Sequence, residues 1–303
     1  MRAAITREPR GEISVEQVAQ PERRSGQVLV DLELALLTAT DWATYATGDD
    51  TLFPLVQGSG GVGILASGGG SLIVGSRVAI WPKVACGRCR FCSVGRRDAC
   101  IDEATLGRDR DGTLADQVLV PRDNVVQVPS ALAPEVAAAA IDYADAWHLL
   151  KEAGEPRAGW SLAVVGSAPA AHAAGRIATH KSDDVVLSES PEGLARHAPY
   201  DAIVAVGSSV DSLIDALAIE GILVVRNPSR SDAAGINASA LVERRARIVG
   251  AGPAGRQDFV EVLRWIADER FLPSIAPAVP LDGVGQALDG GAQITDPVPV
   301  LLD

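Results

Sequence analysis

Read for the spacing of apolar and polar positions, the chain has two textures. Up to about residue 125 it is a series of short β-branched and apolar runs: "RAAITR", "QVLVDLELALL", "GVGILAS", "SRVAIWP" and "DQVLVPRDNVVQVP". Each is bounded by Gly, Pro, Asp or Ser, and little helical period shows, so a β-rich, barrel-like domain is expected. From Leu132 the pattern changes. "APEVAAAAIDYADAWHLLKEAG" is long enough for one or two helices. Then come "WSLAVVGSAPAAHAAGRIATHK", "DVVLSES", "YDAIVAVGSS", "DSLIDALAIEG", "ILVVRN", "ARIVGAG" and "RQDFVEVLRWIADERF". They alternate strand with helix, which predicts a parallel sheet with βαβ crossovers. The tail from Ser274 returns to short strands and turns and is expected to rejoin the first domain.

Composition narrows the partners. Hydrophobic residues make up 47% and charged residues 22% of the 303, a globular balance. The formal charge is −12, from 27 basic and 39 acidic residues, with no basic stripe, so nucleic acid is not an expected partner. No apolar run nears ~20 residues, and "MRAAITREPR" has no apolar h-region behind it. The expectation is a cytoplasmic protein with no membrane partner and a small-molecule substrate.

All four cysteines, Cys86, Cys89, Cys92 and Cys100, fall in C-x2-C-x2-C-x7-C spacing. Four thiolates on one loop suit tetrahedral zinc and leave no open coordination position, so the expected site is structural. With its neighbours, "VGSRVAIWPKVACGRCRFC" resembles the zinc lobe of the medium-chain dehydrogenase/reductase superfamily (zinc alcohol dehydrogenase-like). The resemblance extends to the opening segment and to "DGTLADQVLVPRDNVVQVPSALAPEVAAAA". It implies an α/β fold: a GroES-like β-barrel domain, 1–140 with 270–303, and a Rossmann-type doubly wound parallel sheet, 141–269. It also implies an oxidoreductase, a nicotinamide cofactor and a homodimer.

Dehydrogenases of this family usually hold a second, catalytic zinc. At the positions the resemblance assigns to its ligands this chain has Thr38 in "TATD", Ser59 and Gly60 in "GSGG", and Ile141 with Asp142 beside it in "AAIDYADAW". Hydroxyls do not replace thiolate and imidazole, so no catalytic zinc is expected, and "LVQGSGGVGI" reads as a vacated metal site. None of the four histidines, 148, 172, 180 and 197, is placed to restore it. Without a Lewis acid, the expected reaction is NAD(P)H-dependent reduction of an already activated C=C or iminium bond in a biosynthetic, secondary-metabolite pathway. Thr40, Asp142, Asp145 and Tyr45 are the expected proton donors or catalytic groups, and Trp42, Ser59 and Trp81 the expected substrate contacts. A non-redox cyclase or eliminase, or a pseudoenzyme, on the same fold is the alternative.

The dinucleotide turn reads Gly166-Ser167-Ala168-Pro169-Ala170, with Ala168 where the usual fingerprint has its middle glycine. At the second strand's end Ser188 suits NADP, whereas Glu189 would repel a 2′-phosphate. Gly207 and Ser208, after a later strand, complete the expected cofactor set. About a dozen residues separate Ser188 from the next strand, too few for a helix, a third strand and a crossover, so one edge strand is expected to be missing. "IVGAGPAG" (248–255) matches the fingerprint better as a string, but too little chain follows it for a βαβαβ unit.

Overall fold

The computed structural model describes residues 1–48, 53–68, 72–196, 199–208, 210, 212–227, 237–268, 270–290 and 296–302; His197 lies outside them. The chain divides into two units, Met1–Ile141 with Phe259–Asp303, and Asp142–Asp258.

In the first unit β1 (Arg2–Thr6) pairs antiparallel with β2 (Ile13–Gln17). In β3 (Gln27–Leu37) Val28, Val30, Leu32 and Leu34 are buried while Leu29, Asp31 and Glu33 are not, the period of a strand with one covered face. Helix α1 (Ala39–Thr47) follows, where the hydrophobic spacing gave no helical signal. Its signal is a cap. "TATD" is a capping box: the Thr38 side chain accepts from the backbone of the first turn, and the Asp41 side chain accepts from the Thr38 N–H. Strand β4 (Leu55–Val56) joins β1, β5 (Gly60–Ser67) joins β3, and β6 (Arg77–Ile80) joins β5, all antiparallel. A two-stranded ribbon, β7 (Lys83–Val84) with β8 (Ala104–Thr105), brackets the cysteine loop. Strands β9 (Gln117–Pro121) and β10 (Val125–Gln127) then pair with β3 and β6. The core between them holds Val30, Leu37, Leu65, Ile80, Leu106 and Val120, all fully buried.

A single helix, α2 (Pro134–Glu152), follows, and the unit boundary falls within it. The second unit continues with β11 (Leu162–Val165), α3 (Pro169–Lys181), β12 (Val185–Ser188), β13 (Tyr200–Val206) and β14 (Leu217–Arg226). Helix α4 (Ala238–Glu243) and β15 (Arg247–Gly250) follow. The five strands run parallel in the order β12-β11-β13-β14-β15. This is the doubly wound order 2-1-4-5-6, and among the described residues no strand takes the third position beyond β12. Strands β11 and β13 are buried almost throughout, as parallel strands covered on both faces must be. The chain leaves β11 for β12 on one side and returns to β13 on the other. That switch point opens a crevice at the strands' C-terminal ends, where open α/β sheets bind ligands.

Two expectations need correction. "DSLIDALAIEG" does not form a helix: one 3-10 turn, Ile214–Ala216, is followed directly by β14. Glu220 sits at φ 65°, a left-handed backbone that interrupts any helix, and Gly221 follows it. The second unit also ends earlier than residue 270, because the helix α5 (Arg256–Ala267) groups with the first unit from Phe259 onward. The Phe259 ring stacks on Trp81 of that unit at 5.4 Å. Beyond it β16 (Val279–Pro280), α6 (Val284–Asp289) and β17 (Val298–Leu301) complete the chain. Strand β17 lies antiparallel against β3, so the tail rejoins the first unit as expected. Among the described residues no helix is long and apolar enough to cross a membrane.

Candidate functional site

The three positions that the resemblance assigns to a metal converge in the first unit. Thr38 caps α1, Ser59 precedes β5 and Ile141 lies in α2, yet Thr38 Oγ1 and Ser59 Oγ are 2.8 Å apart. A methyl built on Gly60 would lie 2.2 Å from Ile141 Cδ1, so the isoleucine fills the space beside that glycine. Asp41 organises the polar half. Its Oδ2 accepts from Ser59 Oγ at 2.7 Å, Thr38 N at 2.9 Å and Thr38 Oγ1 at 3.1 Å; its Oδ1 accepts from Gly58 N at 2.9 Å. Gln57 extends the network, donating to the Asp41 carbonyl and accepting from Thr6 Oγ1. Thr6, Thr38, Asp41, Gln57 and Ser59 are all buried. Burial pushes the Asp41 carboxyl above its usual range, opposed by the hydrogen bonds from Ser59, Thr38 and Gly58.

The other expected residues on α1 separate. Thr40 is exposed at the helix start. Tyr45 is five residues on, about 140° around the helix, and is buried with its hydroxyl donated to Asp289 Oδ1 of α6 at 2.6 Å. Burial, then Asp289, pushes the Tyr45 phenol up to about 12. The structure therefore does not pair Tyr45 with Thr40 as a proton donor. Trp42 packs against the first unit's core, and Trp81 is buried under Phe259 with Lys83 Nζ 5.7 Å from its ring.

The four cysteine sulfurs lie within 4.8 Å of one another. Sulfurs around a tetrahedral zinc, with Zn–S of about 2.3 Å, stand about 3.8 Å apart, so the donor set and its spacing fit one such ion. Among the described residues this is the one group of three or more His, Cys, Asp or Glu ligand atoms gathered for a metal. Backbone N–H groups aimed at the sulfurs favour thiolate: those of Cys92 and Ile101 hold the Cys89 thiol down to about 6. Burial and the Cys89 thiol push Cys92 up to about 12.

In the second unit the turn after β11 is held by Gly166, at φ 130°. A methyl there would lie 2.0 Å from the Val206 carbonyl oxygen, so the strand ends can approach only with glycine. Its N–H donates to the Ser188 carbonyl. Ala168 is the N-cap of α3 at φ −67°, ψ 150°, ordinary extended backbone, and Pro169 opens the helix without an N–H. What the missing middle glycine removes is therefore room, not a permitted conformation. Gly166, Ser188 and Glu189, three of the expected cofactor residues, line one groove of about 290 Å³ with Ala171 and His172. Gly207, at φ 66°, follows β13 and donates to the Arg226 carbonyl at the end of β14, with Ser208 buried beside it.

Asp142 and Asp145 sit inside α2, in its third and fourth turns, not at a helix start. Asp145 Oδ2 pairs with Arg226 Nη2 at 3.1 Å, and its Oδ1 accepts from Ala254 N at 2.7 Å. Asp258 Oδ2 accepts from Gly255 N at 2.8 Å. Carboxylates thus take two of the N–H groups of "IVGAGPAG", those of Ala254 and Gly255, and a third, that of Ala251, donates to the Val225 carbonyl. Asp258 is buried between Lys151 Nζ, 2.5 Å away, and His148 Nδ1, 3.3 Å away. The contacts of Asp258 with Lys151 and His148, and of Asp145 with Arg226 and Ala254, were not legible in the sequence, because each joins residues far apart in the chain.

The alcohol dehydrogenase GroES-like domain family matches residues 24–130. An alcohol dehydrogenase of Geobacillus stearothermophilus is 31% identical over 215 residues, 67% of this chain and 63% of that protein. An L-threonine 3-dehydrogenase of Sinorhizobium fredii (strain NBRC 101917 / NGR234) is 30% identical over 155 residues, 49% of this chain and 45% of that protein. The chain thus spans less than two thirds of the length of these curated relatives. Among solved structures, one from Sinorhizobium meliloti 1021 bound to NADP superposes with a TM-score of 0.87 at 20% identity over 99% of each chain. An alcohol dehydrogenase from Escherichia coli CFT073 complexed with NADH gives 0.87 at 18% identity, over all of this chain and 99% of that one. The four-cysteine loop, the parallel sheet with its glycine turn, and these matches together place the chain in the medium-chain dehydrogenase/reductase superfamily of zinc alcohol dehydrogenase-like proteins, to which it belongs.

Proposed function

We propose that the chain is a nicotinamide-dependent oxidoreductase that reduces an activated C=C or C=N bond without a catalytic metal. The observation that carries this reading is the Thr38–Ser59–Asp41 network with Ile141 against Gly60. The residues at the positions the resemblance assigns to zinc do not fit the ion. Two are hydroxyls engaged with each other and with a buried carboxylate, and the third is an alkyl group. Neither class is a good zinc donor. Plain ketones need an electrophile to stabilise the developing alkoxide, whereas an iminium carries its own charge and a conjugated enal spreads it.

A reduced nicotinamide, when bound, supplies hydride from C4. The chain's part is to bind and orient. Gly166 and the start of α3 would receive the pyrophosphate, and Glu189, beside Ser188 at the end of β12, the adenosine ribose. For an enal, hydride adds at the β-carbon and the resulting enolate takes a proton at the α-carbon, which Thr40, exposed at the start of α1, or water would supply. For an iminium, hydride addition gives the neutral amine and needs no proton. The four cysteines would hold one structural zinc.

The test is turnover. Loss of dihydronicotinamide absorbance should be seen with enals, enones or cyclic imines and not with simple ketones. Ketone reduction at a comparable rate, dependent on a second zinc, would sink the proposal. A second reading, a non-redox enzyme on this fold, is favoured by one observation: the five-stranded sheet with Ala168 and Pro169 at its phosphate turn. It predicts that neither NADPH nor NADH binds.

A further inference from the structure

The groove at the ends of β11 and β12 contains one ionisable residue that the sequence reading left without a role. His172 comes from the first turn of α3, and Ser188 and Glu189 from the end of β12. The remaining lining, Val164, Gly166, Ala171 and Leu187, brings no ionisable side chain. Ser188 is committed elsewhere. Its Oγ donates to the Ser190 carbonyl at 2.7 Å and receives the Ser190 N–H at 3.4 Å, so its proton is turned into its own loop and away from a ligand. A phosphate in this groove would therefore meet one carboxylate, Glu189, and one group able to become a cation, His172. Nearby charges outside the lining are Arg176, one turn further along α3, and Glu192, which is hydrogen-bonded to Ser190.

We propose that His172 makes the choice between NADP(H) and NAD(H) depend on pH. Protonated, it offsets Glu189 and donates to a 2′-phosphate. Neutral, it leaves the Glu189 carboxylate alone, which accepts from a free ribose 2′-hydroxyl and repels a phosphate. The inference rests on the dinucleotide reading given above.

Affinities of NADPH and NADH for the full chain, measured by calorimetry at pH 5.5 and 8.0, test it. The NADPH-to-NADH affinity ratio should fall about tenfold or more as the pH rises, the worth of one charge-assisted hydrogen bond. The phosphate's own second ionisation, near pH 6, is common to every variant, so wild type minus His172→Gln isolates the imidazole. In His172→Gln, a surface change that leaves the helix intact, the fall should be about tenfold smaller than in wild type; in Glu189→Gln NADPH affinity should rise at pH 8.0. A ratio that moves equally in wild type and His172→Gln overturns the proposal and leaves the dinucleotide reading standing. Absence of binding by both nucleotides at both pH values overturns both.

Discussion

Ser59 Oγ lies 2.7 Å from Asp41 Oδ2, and both residues are buried. The serine stands at a position where related dehydrogenases are expected to present a metal ligand. Here its hydroxyl completes the set of donors around a carboxylate that also caps a helix. Two of the groups facing Asp41, the N–H groups of Thr38 and Gly58, can only donate.

Asp41→Asn should therefore destabilise the fold by about 2–4 kcal/mol, since either amide orientation turns an NH2 toward an N–H donor. Urea denaturation measures this. The pH dependence has a definite sign. The folded carboxyl titrates above its unfolded value of 3.8, so folding takes up a proton. The contribution is fully present below pH 3.8 and is lost as the pH rises toward the folded value. The stability difference between wild type and Asp41→Asn should accordingly shrink with rising pH across that window; growth instead would mean that the carboxyl is held low.

Gly60→Ala should cost about 1–3 kcal/mol through overpacking against Ile141. Ile141→Ala should cost about 2–4 kcal/mol as a cavity. Combined, the two should cost less than their sum, because the alanine methyl enters the space that the isoleucine leaves. Additive values in a double-mutant cycle would show that the two side chains do not compete.

Metal analysis of purified protein should give one zinc per chain, and Cys92→Ser should lose it with a lower melting temperature. Two zinc ions per chain would mean that a second site had formed despite Thr38, Ser59 and Ile141.

Gly166→Ala should abolish dinucleotide binding and destabilise the second unit by about 2 kcal/mol or more, because φ 130° and the Val206 carbonyl 2.0 Å from the new methyl both oppose it. Ala168→Gly should act oppositely on binding. It frees room at the phosphate turn and tightens NADPH, at a stability cost of a few tenths of a kcal/mol. Fluorescence titration separates the two; an unchanged NADPH affinity in Ala168→Gly would remove the methyl as the limiting feature.

Some of this was legible because the signal was local or periodic. The alternation in β3, the apolar runs of β11 and β13, and the cysteine spacing each predict their own geometry. The helix α1 was missed because its signal is a cap and not a period: "TATD" read as an altered metal motif and is also a capping box. The helix expected in "DSLIDALAIEG" was misread because its apolar spacing fits a helix, while the left-handed backbone at Glu220 shows only in the fold.

By itself the sequence determined the two-part architecture, the shortened parallel sheet and the four-cysteine loop, since these follow from residue type and spacing along a few dozen consecutive positions. It also named Thr38, Ser59 and Ile141 as departures from a family pattern, without saying what they do. Only the tertiary structure decided that they meet, that Asp41 organises the hydroxyls while Ile141 fills the space beside Gly60, and that His172 shares a groove with Glu189. The physical reason is range. Hydrogen bonds, steric exclusion and charge act over a few ångströms in space, and residues far apart in the chain come within that distance only when the sheets and helices that carry them have packed.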